Sequence, residues 1–530
     1  MMENTGTGGF FPAAKGRDGM EIGTKQAPFP RGAGVLLPVF SLPSPQGIGT
    51  FGREARRFAD FLRAAGQSWW QVLPLGPTGF GDSPYQSFSA FAGNPYFIDP
   101  GLLAGEGLLT REEAGGSARG RDPARVDYAA LYRDRFPLLR KAFARSGSAD
   151  AGARRAFCAE NAGWLEGYSL FMALKTHFGG REWLAWPEDI RLRRPAAVER
   201  YRAALRGETE FWKFCQFKFF GQWRRLKAYA NARGIRIIGD LPLYVSLDSA
   251  DVWTHPELFQ LDEGRRPVRV AGVPPDRFSA GGQLWGNPLY DWDAMRGDGF
   301  SWWRRRMGAA ARLYDAVRID HFIGIVRYYA VPRGSKTAEG GEWRRGPGEE
   351  LIRALAAASP GAGVIAEDLG CAVPEVEALR EAAGYPGMKV LEYAFDSGGG
   401  NPNLPCHYAP GCVVYTGTHD NETLAGFFRR APRETVRFAR AYLHVRFRRQ
   451  LPAACVRAAC ASAADTAIIP MQDWLGLGNG ARINRPATVG GNWRWRLRPG
   501  RLNARLAARM RGLCGLYGRL PAEEKTEKEK

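Results

Sequence analysis

Four acidic residues stand directly behind short apolar runs: Asp240 after Ile237-Ile238-Gly239, Asp320 after Val317-Arg318-Ile319, Glu367 after Val364-Ile365-Ala366, and Asp420 after Tyr415-Thr416-Gly417-Thr418-His419. Runs of this length and composition read as buried strands, so each acid falls at a strand's C-terminal end. Residues two apart on a strand share a face, so Arg318 and Asp320 point the same way, and a guanidinium beside Asp320 favours its ionised form. One carboxylate held charged beside a second free to rise in pKa is what retaining glycoside chemistry requires, with the pair about 5–5.5 Å apart. Two plainer readings compete. An Asp opening a strand-to-helix loop often only caps the helix, and strand-end carboxylates also bind Mg²⁺, as in enolase-type barrel lyases. Histidines beside two of the acids, His321 and His419, weaken the capping reading.

Such a cluster needs a frame that brings distant strand ends together. Eight apolar runs recur: Gly34 to Phe40, Trp69 to Pro74, Ile235 to Gly239, Ala316 to Ile319, Val364 to Ala366, Met388 to Leu391, Val413 to Thr416 and Ala467 to Pro470. Helix-like sequence separates most neighbours, for example Phe51 to Ala65 and Glu349 to Ala358. Eight strand-then-helix units predict a (β/α)8 barrel, whose C-terminal rim gathers the four carboxylates. The connections after the second and third strands are too long for simple crossovers and predict helix-rich subdomains, approximately 75–232 and 245–300. The first is helical in pattern over Trp164 to His177 and Glu208 to Ala232. The second holds a Gly- and Pro-rich stretch, Gly272 to Pro288, expected as a binding loop tipped with Phe278 and Trp285. One elaborated domain, 31–518, is expected between a flexible segment, 1–30, and a charged tail, 519–530.

The chain has 530 residues, 45% apolar and 24% charged, so disorder and fibrous repeats are excluded. Its 16 Trp, 18 Tyr and 30 Phe supply sugar-stacking platforms and core filler alike. The net charge of +20 would suit a polyanion, but no nucleic-acid module accompanies it and short runs such as Arg304 to Arg306 lie on amphipathic helices; neither nucleic acid nor membrane is expected as partner. The eight cysteines form no CxxC pair and read as reduced thiols. A metal set of Cys406, His407, Cys412 and His419 fits no common zinc spacing. With no apolar leader core in the first thirty residues and no ~18-residue apolar run, a cytoplasmic protein is expected.

Gly47-Ile48-Gly49-Thr50-Phe51-Gly52 matches G-x-G-x-x-G, but the next strand ends in Leu73-Pro74-Leu75 without an acid for a ribose, so a tight turn entering a helix is the better account. Neither a phosphate-binding G-x-x-x-x-G-K-[ST] loop nor a G-x-S-x-G elbow occurs.

Five longer segments resemble the signature segments of the amylomaltases, the 4-alpha-glucanotransferases of glycoside hydrolase family 77: Gly81 to Pro95, Pro275 to Pro288, Val317 to His321, Ile365 to Gly370 and Thr416 to Glu422. The resemblance runs in order from about Gly34 to Arg496. It implies that Asp320 is the nucleophile, Glu367 the acid/base and Asp420 the third carboxylate. It further implies that Arg318 orients Asp320, that His321 and His419 bond sugar hydroxyls, that Tyr85 underlies the ring being cleaved, and that Trp285 and Gln283 arch over the acceptor. Asp240, Ser83, Asp276 and Asn287 occupy matched positions, where loop or scaffold bonding is a competing reading, an equal one for Asp276. The implied substrates are maltooligosaccharides and α-1,4-glucans, with no cofactor or metal, and a monomer or homodimer. Two departures stand out: Ile323 where the family often has Arg, and Ala487 where Gly is usual. An α-amylase-like hydrolase and a non-catalytic glucan-binding protein remain as rivals alongside the Mg²⁺-dependent lyase.

Overall fold

The computed structural model describes residues 29–115, 122–147, 150–275, 279–370 and 373–522. All eight runs read from the sequence are strands of one parallel sheet: β1 (Gly32–Leu36), β2 (Trp69–Gln71), β3 (Arg236–Leu241), β4 (Ala316–Ile319), β5 (Gly363–Ala366), β6 (Gly387–Val390), β7 (Cys412–Tyr415) and β8 (Thr466–Pro470). Their order is β6-β7-β8-β1-β2-β3-β4-β5. The ring is nearly closed by one backbone bond, from the Ala366 N–H to the Pro386 carbonyl at 3.0 Å. Val35, Trp70, Ile238, Val317, Ile365, Val390, Val414 and Ile468, one from each strand, are fully buried. A packed barrel interior and an outer helical ring follow, because parallel strands are covered on both faces.

Register places the chemistry. Across the β3–β4 pair Asp240 lies opposite Arg318, and across β4–β5 Ile319 lies opposite Ala366, so the next residues, Asp320 and Glu367, leave the rim side by side.

The connection from β2 to β3 is helical, with Tyr128–Ala144, Ala151–Glu160, Ala162–His177, Pro195–Ala204 and Arg206–Asn231. Of the 16 tryptophans 13 are buried, Trp70, Trp183, Trp223, Trp253, Trp302 and Trp303 almost wholly. The Gly47–Gly52 motif is indeed a turn. Gly52 precedes the helix Arg53–Ala64, and a side chain on Gly49 would strike the Val39 carbonyl.

Two expectations need correction. Gly272 to Pro288 is not a structureless loop, since Arg269–Val273 and Gln283–Pro288 are antiparallel strands. They extend through Arg327–Pro332 to Glu342–Arg345 as a four-stranded sheet beside the barrel. Gly272, Gly281, Gly282 and Gly286 broke the alternation in sequence; at Gly272 a Cβ would lie 2.5 Å from the Gln283 carbonyl, so the close pairing requires the bare backbone. The second correction concerns the ends. Phe29 packs against Trp69 with ring centroids 5.2 Å apart, and Arg519 is buried, donating to the carbonyls of Gly32, Cys460, Ser462 and Ala464. Both belong to the folded body; residues 1–28 and 523–530 lie outside the described residues.

Candidate active site

The across-strand pairing of Asp240 and Arg318 becomes a buried ion pair: one guanidinium nitrogen of Arg318 is 2.9 Å from both oxygens of Asp240. The other terminal nitrogen is 2.9 Å from Oδ1 of Asp320. Tyr85 donates its hydroxyl to Oδ2 of Asp240 at 2.6 Å. One planar cation therefore fixes two anions, a task that suits the fork of Arg and not the point charge of Lys. The Asp240 side chain is wholly buried, whereas that of Asp320 is 27% exposed and opens to the cleft.

Glu367 is gripped by backbone. Its Oε2 accepts the N–H of His321 at 2.7 Å and its Oε1 that of Leu369 at 3.1 Å. Burial pushes its carboxyl up to about 8; the Arg318 charge and the two N–H bonds oppose that rise and the charge of Asp320 adds to it. Near neutral pH Glu367 thus holds a proton beside Asp320. His321 adopts a left-handed backbone, φ 54°. Its imidazole Nε2 is buried without a hydrogen-bond partner among the described residues, and its ring stands edge-on to Trp285 at 4.7 Å. Burial lowers its pKa to about 4 against the pull of Asp320, so it stays neutral, with a polar atom left for a ligand.

Asp420 lies beyond the end of β7 and depends on loops. Its Oδ1 accepts from Asn484 Nδ2 at 2.6 Å, its Oδ2 is 3.4 Å from His419 Nε2, and its carbonyl accepts from Arg482 at 2.6 Å. His419 is buried and stacks on Tyr85 with centroids 5.2 Å apart; Trp493 closes the group at 5.8 Å from Tyr85 and 6.0 Å from His419. Gln283 and Trp285 lie two apart at a bulge in their strand, and Trp285 donates to the Gln283 carboxamide at 3.2 Å.

Not every matched residue is left free for a ligand. Ser83 accepts the N–H of Tyr85 within its own turn, and Asn287 bridges the Val245 carbonyl and Gln86. Asp276 and Phe278 lie outside the described residues. The four-member metal set does not gather: Cys412 opens β7, His419 lies past the other end of that strand, and His407 bonds the Gly399 carbonyl. The seven described cysteines are free thiols.

The sequence reading missed Trp493, Arg482 and Asn484 as members of the site. A Trp in a Gly-rich stretch gives no sign that it will complete an aromatic cage. Ala487 explains itself better in the structure, with φ 59°: the loop keeps the left-handed turn that glycine would favour.

The sequence profile of glycoside hydrolase family 77, 4-alpha-glucanotransferase, matches residues 37–503. The chain belongs to this family. The 4-alpha-glucanotransferase of Thermus thermophilus is 49% identical over 93% of this chain and 99% of its own length, and that of Synechocystis is 46% identical over 92% and 98%. Among solved structures, the amylomaltase of Streptococcus agalactiae in complex with acarbose superposes with a TM-score of 0.90, at 40% identity, over 93% of this chain and all of that one. The amylomaltase of Corynebacterium glutamicum, at 20% identity and a TM-score of 0.73 over 93% and 74%, shares the fold. This 4-alpha-glucanotransferase is accordingly an enzyme acting on α-1,4-glucans. No helix among its described residues is long and apolar enough to cross a membrane.

Proposed function

We propose that the enzyme transfers α-1,4-glucan segments between maltooligosaccharides by double displacement at Asp320 and Glu367. Asp320 attacks the anomeric carbon while Glu367 delivers its proton to the bridging oxygen; the C1–O bond breaks and a C1–Asp320 ester forms. The 4-hydroxyl of a second glucan then attacks C1, returns a proton to Glu367 and frees Asp320. No external redox or metal step is needed for this balance. The observation that carries the reading is the shared Arg318 guanidinium, which holds Asp320 beside a Glu367 that keeps its proton near neutral pH.

Asp420, tethered by Asn484 and His419, grips sugar hydroxyls in the distorted ring. Tyr85 and His419 form the platform beneath it, and Asp240 acts through Arg318 and Tyr85. The orphaned Nε2 of His321 takes a hydroxyl, and Trp285 with Gln283 covers the acceptor and limits water, which favours transfer over hydrolysis. Ser83 and Asn287 act as scaffold for Tyr85 and Gln86, and Asp276 remains a binding candidate on the resemblance alone. Free thiols at all seven described cysteines suit a reducing compartment and support a cytoplasmic enzyme.

The test is incubation of the enzyme with maltotriose, following product lengths by chromatography, with Asp320→Asn in parallel. Longer maltooligosaccharides plus glucose, reduced by about 10⁴-fold or more in the variant, are expected. Shortening without lengthening would make the enzyme a hydrolase, and full activity in the variant would remove Asp320 from its role.

A further inference from the structure

Beneath the turn that carries His419 and Asp420 lie two buried carboxyls for which the proposed transfer cycle has no use. Asp473, just past β8, has both oxygens occupied: Oδ2 accepts from the Thr416 hydroxyl at 2.6 Å and Oδ1 from the Leu424 N–H at 2.8 Å. Glu392, just past β6, is different. Its N–H donates to the Thr416 carbonyl at 3.1 Å, and its Oε1 accepts from Asn421 Nδ2 at 3.2 Å and from the Glu422 N–H at 3.4 Å. Its Oε2 is buried without a partner among the described residues, close to Gly417.

From Glu392 the bonds run towards the cleft. Asn421 Oδ1 accepts both the N–H and the hydroxyl of Thr418 at 2.9 Å, and Thr418 Oγ1 accepts the Asp420 N–H at 3.3 Å. A carboxylate at position 392 would face the like charges of Asp473 and Glu422; the cation that acts on it, Arg482, already holds the Asp420 carbonyl and pairs with Glu422 at 3.8 Å, and the other titratable neighbours, Tyr393 and Cys455, are neutral groups. An ionised group with an unpaired buried oxygen is costly, whereas the acid form leaves no uncompensated charge.

We propose that Glu392 is a positioning residue of the transfer reaction, its neutral carboxyl holding, through Asn421 and Thr418, the turn that presents His419 and Asp420 to the sugar. The inference rests on the assignment of Asp420 to the sugar site. Burial agrees with it, pushing the Glu392 carboxyl up to about 8 against the bonds from Asn421 and Glu422. An acid raised in the folded state contributes stability that is complete below its unfolded value near 4.5 and is lost as pH climbs through 8. Glutamine, neutral and of the same shape, escapes that loss.

The experiment compares the parent enzyme with Glu392→Gln, Glu392→Ala and Asp420→Asn, by kcat and KM on maltotriose at pH 6.5 and by unfolding midpoint from pH 5 to 9. Glu392→Gln should keep kcat within about 3-fold, and its midpoint should gain ~3 °C on the parent between pH 5 and 9. Glu392→Ala should lose about 10-fold or more in kcat with KM nearly unchanged. Titration of Glu367 is common to the parent and both Glu392 variants and cancels from the difference. A midpoint difference that does not change with pH would show that Glu392 does not stay neutral, and would overturn the proposal even if the alanine variant fails to fold. So would a glutamine variant as slow as the alanine one, or an alanine variant with parental kcat. Full activity in Asp420→Asn would instead sink the assignment of Asp420, while the pH arm would still report the charge state of Glu392.

Discussion

On the side of β3, β4 and β5, each reactive group lies at a strand end or one residue beyond it and is fixed by charge or backbone: Asp240 and Asp320 by one guanidinium, Glu367 by two N–H groups. On the opposite side, Asp420 stands five residues past β7 and is fixed by loop contacts, its carboxylate accepting from Asn484, its N–H donating to Thr418 Oγ1 and its carbonyl accepting from Arg482. Strand register thus sets the groups proposed to make and break bonds, and loop chemistry sets the group proposed to hold the sugar. The first arrangement concentrates its strength in one cation; the second spreads it over several bonds. Single substitutions should therefore act steeply on one side and gradually on the other.

Arg318→Lys is the sharpest way to break that contrast. Lysine cannot span Asp240 and Asp320 together, so kcat/KM on maltotriose should fall by ~10²–10³-fold. A loss below tenfold would mean the fork is dispensable. Asn484→Ala removes one donor from Asp420, and a decrease of about 10-fold in kcat is expected, roughly one charge-assisted bond. An effect as large as that of Arg318→Lys would show that the loop side is no more forgiving than the strand side. The third prediction concerns pH. In the proposed cycle Glu367 must start protonated to release the leaving oxygen, so kcat should fall as pH rises through about 8, by roughly tenfold between pH 7 and 9. The same sign applies to folding, since the raised acid contributes stability below its unfolded value and loses it through 8; Glu367→Gln should flatten this part of the midpoint–pH curve. The smallest effect belongs to Ala487→Gly. Relief of a left-handed alanine, ~1–2 kcal/mol, exceeds the added unfolded-chain entropy, ~0.5–1 kcal/mol, so thermal unfolding should show a gain of about 0.5–1 kcal/mol with activity unchanged.

The same contrast governs what could be read from the sequence. All eight barrel strands, and the acids closing β3, β4 and β5, were visible because a short, mostly apolar run ending at a carboxylate needs no knowledge of distant partners. Arg318 and Asp320 were paired by alternation alone. The Asp240–Arg318 bond required strand register, which local pattern does not carry, and the role of Asn484 required two loops 64 residues apart to meet. The side sheet escaped because Gly272 and Gly286 break the period-two pattern at positions where backbone approaches backbone. Glu392 was overlooked for a related reason. It stands directly behind the run Met388 to Leu391, as Glu367 stands behind its own, so the local pattern was present, and its importance lies in what surrounds it.

The single cation between Asp240 and Asp320 has a consequence for timing. While Asp320 is free, part of the affinity of Glu367 for its proton comes from the Asp320 charge, against the opposing pull of Arg318. Esterification in the proposed cycle would cancel that charge, leaving only the Arg318 attraction acting on Glu367. Glu367 would then become a weaker holder of protons at the moment its task changes from giving one to taking one only briefly from the incoming hydroxyl. The nucleophile would in this way act as the clock of its own acid/base partner, resetting it each time the sugar arrives and leaves.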